Sequence, residues 1–86
     1  MMAKYRKRPV VIEAFCLGTD SIPDWFCDAI SNRKIHTSAE GHCYIETLEG
    51  VLRCNSSDYI IKDVKGEIYA CRPDIFAMTY EQEDKS

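Results

Sequence analysis

Five cysteines, two histidines, fourteen carboxylates and a few arginines and tyrosines are the groups in this 86-residue chain that can do chemistry. A cysteine beside a histidine can give a thiolate nucleophile. Such partners meet in space and not in sequence, so the composition alone makes the signal weak. Cysteine with histidine can also hold zinc, but there is no Cys-x-x-Cys pair, and His36 and His42 lie further apart than usual zinc pairs. No metal and no cofactor is expected. The carboxylates scatter over the chain and mark no acid–base pair. Gly-x-Gly-x-x-Gly, the phosphate loop, Gly-x-Ser-x-Gly and His-Glu-x-x-His are all missing. The four glycines suit turns and a strand end, which leaves none for a phosphate cradle. No catalytic residue is assigned.

Binding is easier to support than catalysis. Tyr5, Trp25, Tyr44, Tyr59 and Tyr69 are amphipathic aromatics, and Arg53 and Arg72 lie in or beside hairpin strands. Arginine forks suit phosphates and carboxylates, and tyrosines stack on bases. Arg53, Arg72, Tyr59, Tyr69 and Tyr5 are therefore the candidate ligand-binding residues. The plainer reading pairs Tyr59 with Tyr69 across a hairpin and leaves both arginines as surface charges.

These groups must be positioned by a small fold. The chain is read as one domain, 1–86, with a basic arm over 1–8 and an acidic tail over 81–86. A domain this short buries only roughly 60–65% of its unfolded surface. It leans on disulfides, a metal or a partner subunit. Hydrophobic residues make up 45% and charged residues 29%, which excludes a disordered chain. No apolar run is long enough for a membrane span. No signal-type segment follows the start, so a reducing cytosol is expected. There the five cysteines read as free, small core hydrophobes. Asn55-Ser56-Ser57 then reads as a turn, not a glycosylation acceptor.

Charge is uneven. Lys4, Arg6, Lys7 and Arg8 are four of the eleven basic residues; the remaining seven face fourteen acidic ones, a balance of −7. The acidic body repels phosphate backbones, so broad nucleic-acid binding is not expected. A basic arm can bind an acidic partner, or simply lead into a strand as a solvated terminus.

Val10–Phe15 is β-branched and aromatic and reads as the first strand, opened by Pro9. Ser21-Ile22-Pro23-Asp24 starts a helix, with Ser21 as cap and Asp24 answering it. Trp25, Phe26, Ala29 and Ile30 form its buried face, and Ser31-Asn32-Arg33 stops it. Lys34–His36 is a short strand, and His42–Thr47, Val51–Cys54, Tyr59–Asp63 and Glu67–Cys71 follow as a meander. Turns fall at 48–51, 55–58 and 65–66. Pro73-Asp74 interrupts the pattern, and Ile75–Met78 caps the end. The fold class is α+β: a curved antiparallel β-meander of about five strands, nearly a small barrel, packed on one helix with a short C-terminal helical cap.

Lys4–Phe15 resembles the opening of a family of small bacteriophage and prophage proteins. Thr47–Val51, Asp58–Lys62, Val64–Tyr69, Cys71–Phe76 and Thr79–Glu81 resemble its second half, with the block from Cys71 the most specific. Where that family turns through Pro-Gly-Asp followed by Trp, this chain has Ser56-Ser57-Asp58 and Tyr59. No activity is established for the family, so the resemblance implies a phage context and no catalytic residue. Phage accessory proteins act in the host cytoplasm, and some counter host defence by binding a protein or sequestering a nucleotide signal.

Together these readings point to a non-enzymatic accessory protein of the host bacterial cytoplasm. It is expected to form a homo-oligomer that holds a small nucleotide-like anion. The alternative is a protein–protein inhibitor of a host protein, or a virion-associated structural module. A small Cys/His or carboxylate enzyme is third.

Overall fold

The structure, a computed structural model, describes residues 2–6 and 8–82. Lys7 of the basic arm and residues 83–86 of the acidic tail lie outside the described residues. The elements in chain order are β1 (Glu13–Cys16), α1 (Asp24–Ser31), β2 (Ile35–Thr37), β3 (Cys43–Thr47), β4 (Gly50–Cys54), β5 (Tyr59–Lys62), β6 (Ile68–Cys71) and α2 (Pro73–Thr79). The class is α+β and all pairing is antiparallel. The strands number six rather than five, and they form two sheets, not one continuous meander. Sheet A has the order β1-β5-β6 and sheet B the order β2-β3-β4. The sheets adjoin where β4 lies against β6.

The first strand begins three residues later than its β-branched run predicts. Glu13 pairs with Lys62, the last residue of β5. Asp63 then turns the chain, its carboxylate accepting the Lys65 and Glu67 N–H groups. No partner strand remains for Val10–Ile12, and Val10 and Val11 stay exposed. Strand propensity without a neighbour does not make a strand.

Helix α1 also starts later than expected. Pro23, with φ −74° and ψ 159°, occupies the N-cap, and no side chain caps the helix. Ser21 therefore does not act as the cap. The residue before a proline is held out of the helical region, which excludes Ile22 from the first turn. Phe26 and Ala29 are buried and Trp25 packs against the core, but Ile30 is exposed, so the apolar stripe is narrower than its spacing suggests. The helix stops in a Schellman arrangement. Arg33 N–H donates to Ile30 C=O at 3.0 Å, and Lys34 N–H to Ala29 C=O at 2.9 Å. Arg33 takes φ 62°, a left-handed conformation usually left to glycine.

The main core lies between α1 and the inner faces of both sheets. Phe15 meets Phe26 and Trp25 edge-on, with centroids 5.0 and 5.6 Å apart. Leu17, Ile35, Ile45, Cys43, Cys54, Ile60 and Ile68 complete it. α2 packs on part of the other face of sheet A. Phe76 stacks flat on Tyr59, centroids 3.9 Å and planes 2° apart, and Tyr80 follows at 5.0 Å from Phe76. Ile61, on that same face, is fully buried. Pro73, expected to interrupt the chain, instead sits in the first turn of α2, where its missing N–H costs nothing.

The cysteines divide. All five are free; Cys43 and Cys54 are buried, Cys16 and Cys71 half-buried, and Cys27 exposed. Core filling thus holds for the pair facing each other across β3 and β4. It fails for Cys27, which follows Phe26 on α1 and points away from the Phe26–Ala29 stripe.

Candidate ligand pocket

Sheet A packs one face on the core and part of the other on α2, and sheet B turns one face outward. Its inner face carries Ile35, Cys43, Ile45 and Cys54, and alternation sends His36, Tyr44, Glu46, Val51 and Arg53 outward. Register aligns His36, Tyr44 and Arg53 in one row across the three strands. Ser38 N–H donates to His42 C=O and Glu46 N–H to Lys34 C=O, which turns the even-numbered backbone groups of β3 toward β2. Tyr44 and Arg53 therefore form a non-hydrogen-bonded pair, the closer kind of cross-strand neighbour. On the same face His36 Nε2 bonds the Glu46 carboxylate.

At the end of this row lies a pocket of about 260 Å³ lined by Glu40, His42, Arg53, Asn55 and Ser56. Two turns build its walls. In the 38–41 loop, Glu40 N–H donates to Ser38 Oγ, and Gly41 leads into His42. The 55–58 turn closes with Asp58 N–H donating to Asn55 C=O and Asn55 N–H to Asp58 Oδ2, both at 3.0 Å. Asp58 is buried, and that backbone N–H satisfies one of its carboxylate oxygens.

The 55–58 turn is held from behind by the end of β1. Leu17 N–H donates to Asp58 C=O at 2.9 Å, and Cys16 Sγ reaches Ser57 C=O at 3.5 Å. A Cβ on Gly18 would lie 2.8 Å from the Ser56 carbonyl oxygen, so only glycine lets the two turns approach this closely.

His42 is oriented by Tyr44: Nε2 lies 3.0 Å from the tyrosine hydroxyl, and the rings meet edge-on at 5.2 Å. The Arg53 guanidinium makes no salt bridge among the described residues, where the ion pairs are His36–Glu46 and Arg72–Asp74. Arginine, imidazole, amide and hydroxyl residues thus line one concavity, with Glu40 beside them. Such a set can hold an anion and one of its hydroxyl groups.

No family model, no curated protein and no solved structure matches this chain. The pocket's chemistry is therefore read from its own residues.

The candidate residues fall into separate places. Arg53 lines the pocket. Tyr59 is stacked on Phe76, and Tyr69 has its hydroxyl pushed up to about 12 by burial first and by the neighbouring Tyr80 second. Arg72 caps the start of α2 and pairs with Asp74 at 3.1 Å. Tyr5 stands on the N-terminal arm, 94% exposed. The structure gathers Tyr59, Tyr69 and Arg72 around α2 and leaves Arg53 on the other sheet. His42, Asn55, Ser56 and Glu40 are the neighbours of Arg53 outside the candidate set, and Tyr44, one of the amphipathic aromatics, stands opposite it. One signal was present. A two-residue loop at Leu48-Glu49 joins β3 to β4 and sets Tyr44 opposite Arg53.

The buried thiols sit beneath this face. Cys43 and Cys54 face each other across β3 and β4, and the neighbouring Cys43 together with burial holds the Cys54 thiol far above its ordinary range. Cys54 in turn pulls Cys43 down, against burial and the Asp58 charge. Burial, then Asp74 and Asp58, raise Cys71. Among the described residues no group of three or more His, Cys, Asp or Glu side chains is placed to hold a metal ion. No described helix is long and apolar enough to cross a membrane.

Proposed function

We propose that this chain is a non-enzymatic binding protein whose pocket on sheet B takes a small phosphate-bearing, nucleotide-like ligand. Arg53 carries the reading. A guanidinium without a carboxylate partner among the described residues, set in a concavity with further donors, suits phosphate oxygens. His42 is held by Tyr44 and not by a serine or cysteine, which favours binding over nucleophile activation. Tyr44, opposite Arg53, offers an aromatic edge beside the bound anion. The resemblance to small phage and prophage proteins supplies the setting: a homo-oligomeric accessory protein of the host bacterial cytoplasm that sequesters a nucleotide signal.

Melting curves with a panel of cyclic and ADP-ribose-type nucleotides test this. A ligand at 100 times its dissociation constant stabilises by about 2.7 kcal/mol. In a domain this size that moves the midpoint by roughly 10 °C or more. Release of unchanged nucleotide on heating supports sequestration, and a hydrolysed product overturns it. A flat response to every nucleotide, with a stoichiometric host protein captured instead, moves the function to the inhibitor reading. The exposed Leu48 and Val51 at the tip of the β3–β4 hairpin then become the contact.

A further inference from the structure

We infer that two copies of this chain pair antiparallel through their β1 edges, extended by residues 10–12 of the arm. This names the surface that makes the oligomer in the reading above, and it does not depend on the pocket.

β1 is an edge strand of sheet A. Its ladder with β5 fixes which backbone groups are used. Leu17 N–H donates to Asp58 C=O, and Phe15 and Glu13 follow in the same phase opposite Ile60 and Lys62. The odd-numbered groups therefore point to β5 and those of Ala14 point outward; the same alternation, carried on through residues 10–12, sets those of Ile12 and Val10 along the same edge once they pair. Cys16, next in that row, is already satisfied: its N–H donates to Asp20 Oδ2, and its C=O accepts the Thr19 and Asp20 N–H groups. Pro9 falls in the odd phase, so the residue without an N–H leaves the outward row intact.

An edge strand preceded by a β-branched, apolar run is a template for another strand. Here three observations select a second copy. First, a two-fold axis at Ile12 pairs Ile12 with itself and Val10 with Ala14 of the second copy, matching the outward row on both sides. Second, that register places Glu13 opposite Val11 of the second copy, so like charges do not meet. Third, the charges are complementary. Past the pairing, the arm carries Arg8, Arg6 and Lys4 toward the second copy's 18–28 stretch. That stretch holds Asp20, Asp24 and Asp28, and residues 9–32 contain no lysine or arginine. The result is one sheet of order β6-β5-β1-β1-β5-β6, which removes an exposed edge from each copy and buries Val10, Ile12 and Ala14 side by side.

Light scattering of the full chain at tens of micromolar tests this, with a mass of twice 9.9 kDa expected. Ile12→Pro removes an N–H that makes no bond among the described residues of one copy. It should raise the dimer dissociation constant by at least about tenfold while the far-ultraviolet spectrum stays unchanged. Amide exchange on the unaltered protein needs no variant: the Ile12 and Ala14 amides should be protected in the dimer and exchange faster on dilution. A monomer at these concentrations overturns the inference. So does a dimer whose Ile12 and Ala14 amides exchange freely, because its interface lies elsewhere. A dimer that binds no nucleotide sinks the pocket reading and leaves this one standing; a monomer that binds one does the reverse.

Discussion

Tyr59 of β5 and Phe76 of α2 lie face to face, 3.9 Å between ring centres and 2° between planes. This contact decides what the outer face of sheet A is for. α2 has no buried residue of its own, so its Phe76–Tyr59 stack is its main hold on the sheet. Phe76→Ala should therefore loosen α2 from Tyr59. Truncating a fully buried phenylalanine costs about 3–5 kcal/mol, and a half-buried one roughly half that. Urea unfolding should show a loss of about 2 kcal/mol, whereas a loss below about 0.5 kcal/mol would mean that α2 contributes nothing to the fold.

The same layer makes stability depend on alkaline pH. The folded Tyr69 hydroxyl is pushed up to about 12 by burial first and by Tyr80 second. In the unfolded chain tyrosine ionises near pH 10. Between these values the unfolded state binds fewer protons, so stability falls as pH rises. The contribution is complete below about pH 10 and lost through about pH 12. Tyr69→Phe should flatten the slope of unfolding free energy against pH in that window. An unchanged slope would place the alkaline sensitivity on another group.

Arg33 offers a gain. It holds φ 62° to close α1, and a side chain there costs about 1 kcal/mol relative to glycine. Arg33→Gly should raise the unfolding free energy by roughly 0.5–1 kcal/mol, read from the denaturation midpoint at constant slope. A destabilised variant would show that the Arg33 side chain makes a contact worth more than the strain it relieves.

The five thiols should separate under native alkylation followed by peptide mass spectrometry. Cys27 is exposed and should react first, Cys16 and Cys71 more slowly, and Cys43 and Cys54 only on unfolding. Early labelling of Cys43 or Cys54 would show that the β3–β4 pair opens in the native state.

Much of this fold is legible in the residues. The apolar alternation of Cys43–Thr47, the apolar run at Tyr59–Lys62, and the turn chemistry at Gly50, Asn55–Asp58 and Gly66 locate β2 to β6 within a residue or two. What is not legible is which strands pair. β1 joins β5 across a long stretch of chain, and that long-range choice splits the strands into two sheets. It also leaves Val10–Ile12 unpaired, because β5 ends at Lys62. The site divides similarly. Arg53 is visible as an arginine in a hairpin strand. Tyr59 and Tyr69 carry the same aromatic signal but are used by α2, whose docking no local pattern announces. Asn55 and Ser56 follow Arg53 closely in the chain, and His42 reaches them through the β3–β4 register, with the 55–58 turn held by the close approach of Gly18.

The most direct test of the pocket is an amide-shift titration with ADP, run on the unaltered protein and on Arg53→Ala in parallel. The pocket reading predicts saturable shifts at His42, Arg53, Asn55 and Ser56. It also predicts an affinity at least about tenfold weaker in the variant, the loss expected when a phosphate loses its arginine fork. Shifts confined to Tyr5, Arg72 and the α2 layer, or equal affinity in the two proteins, would contradict it.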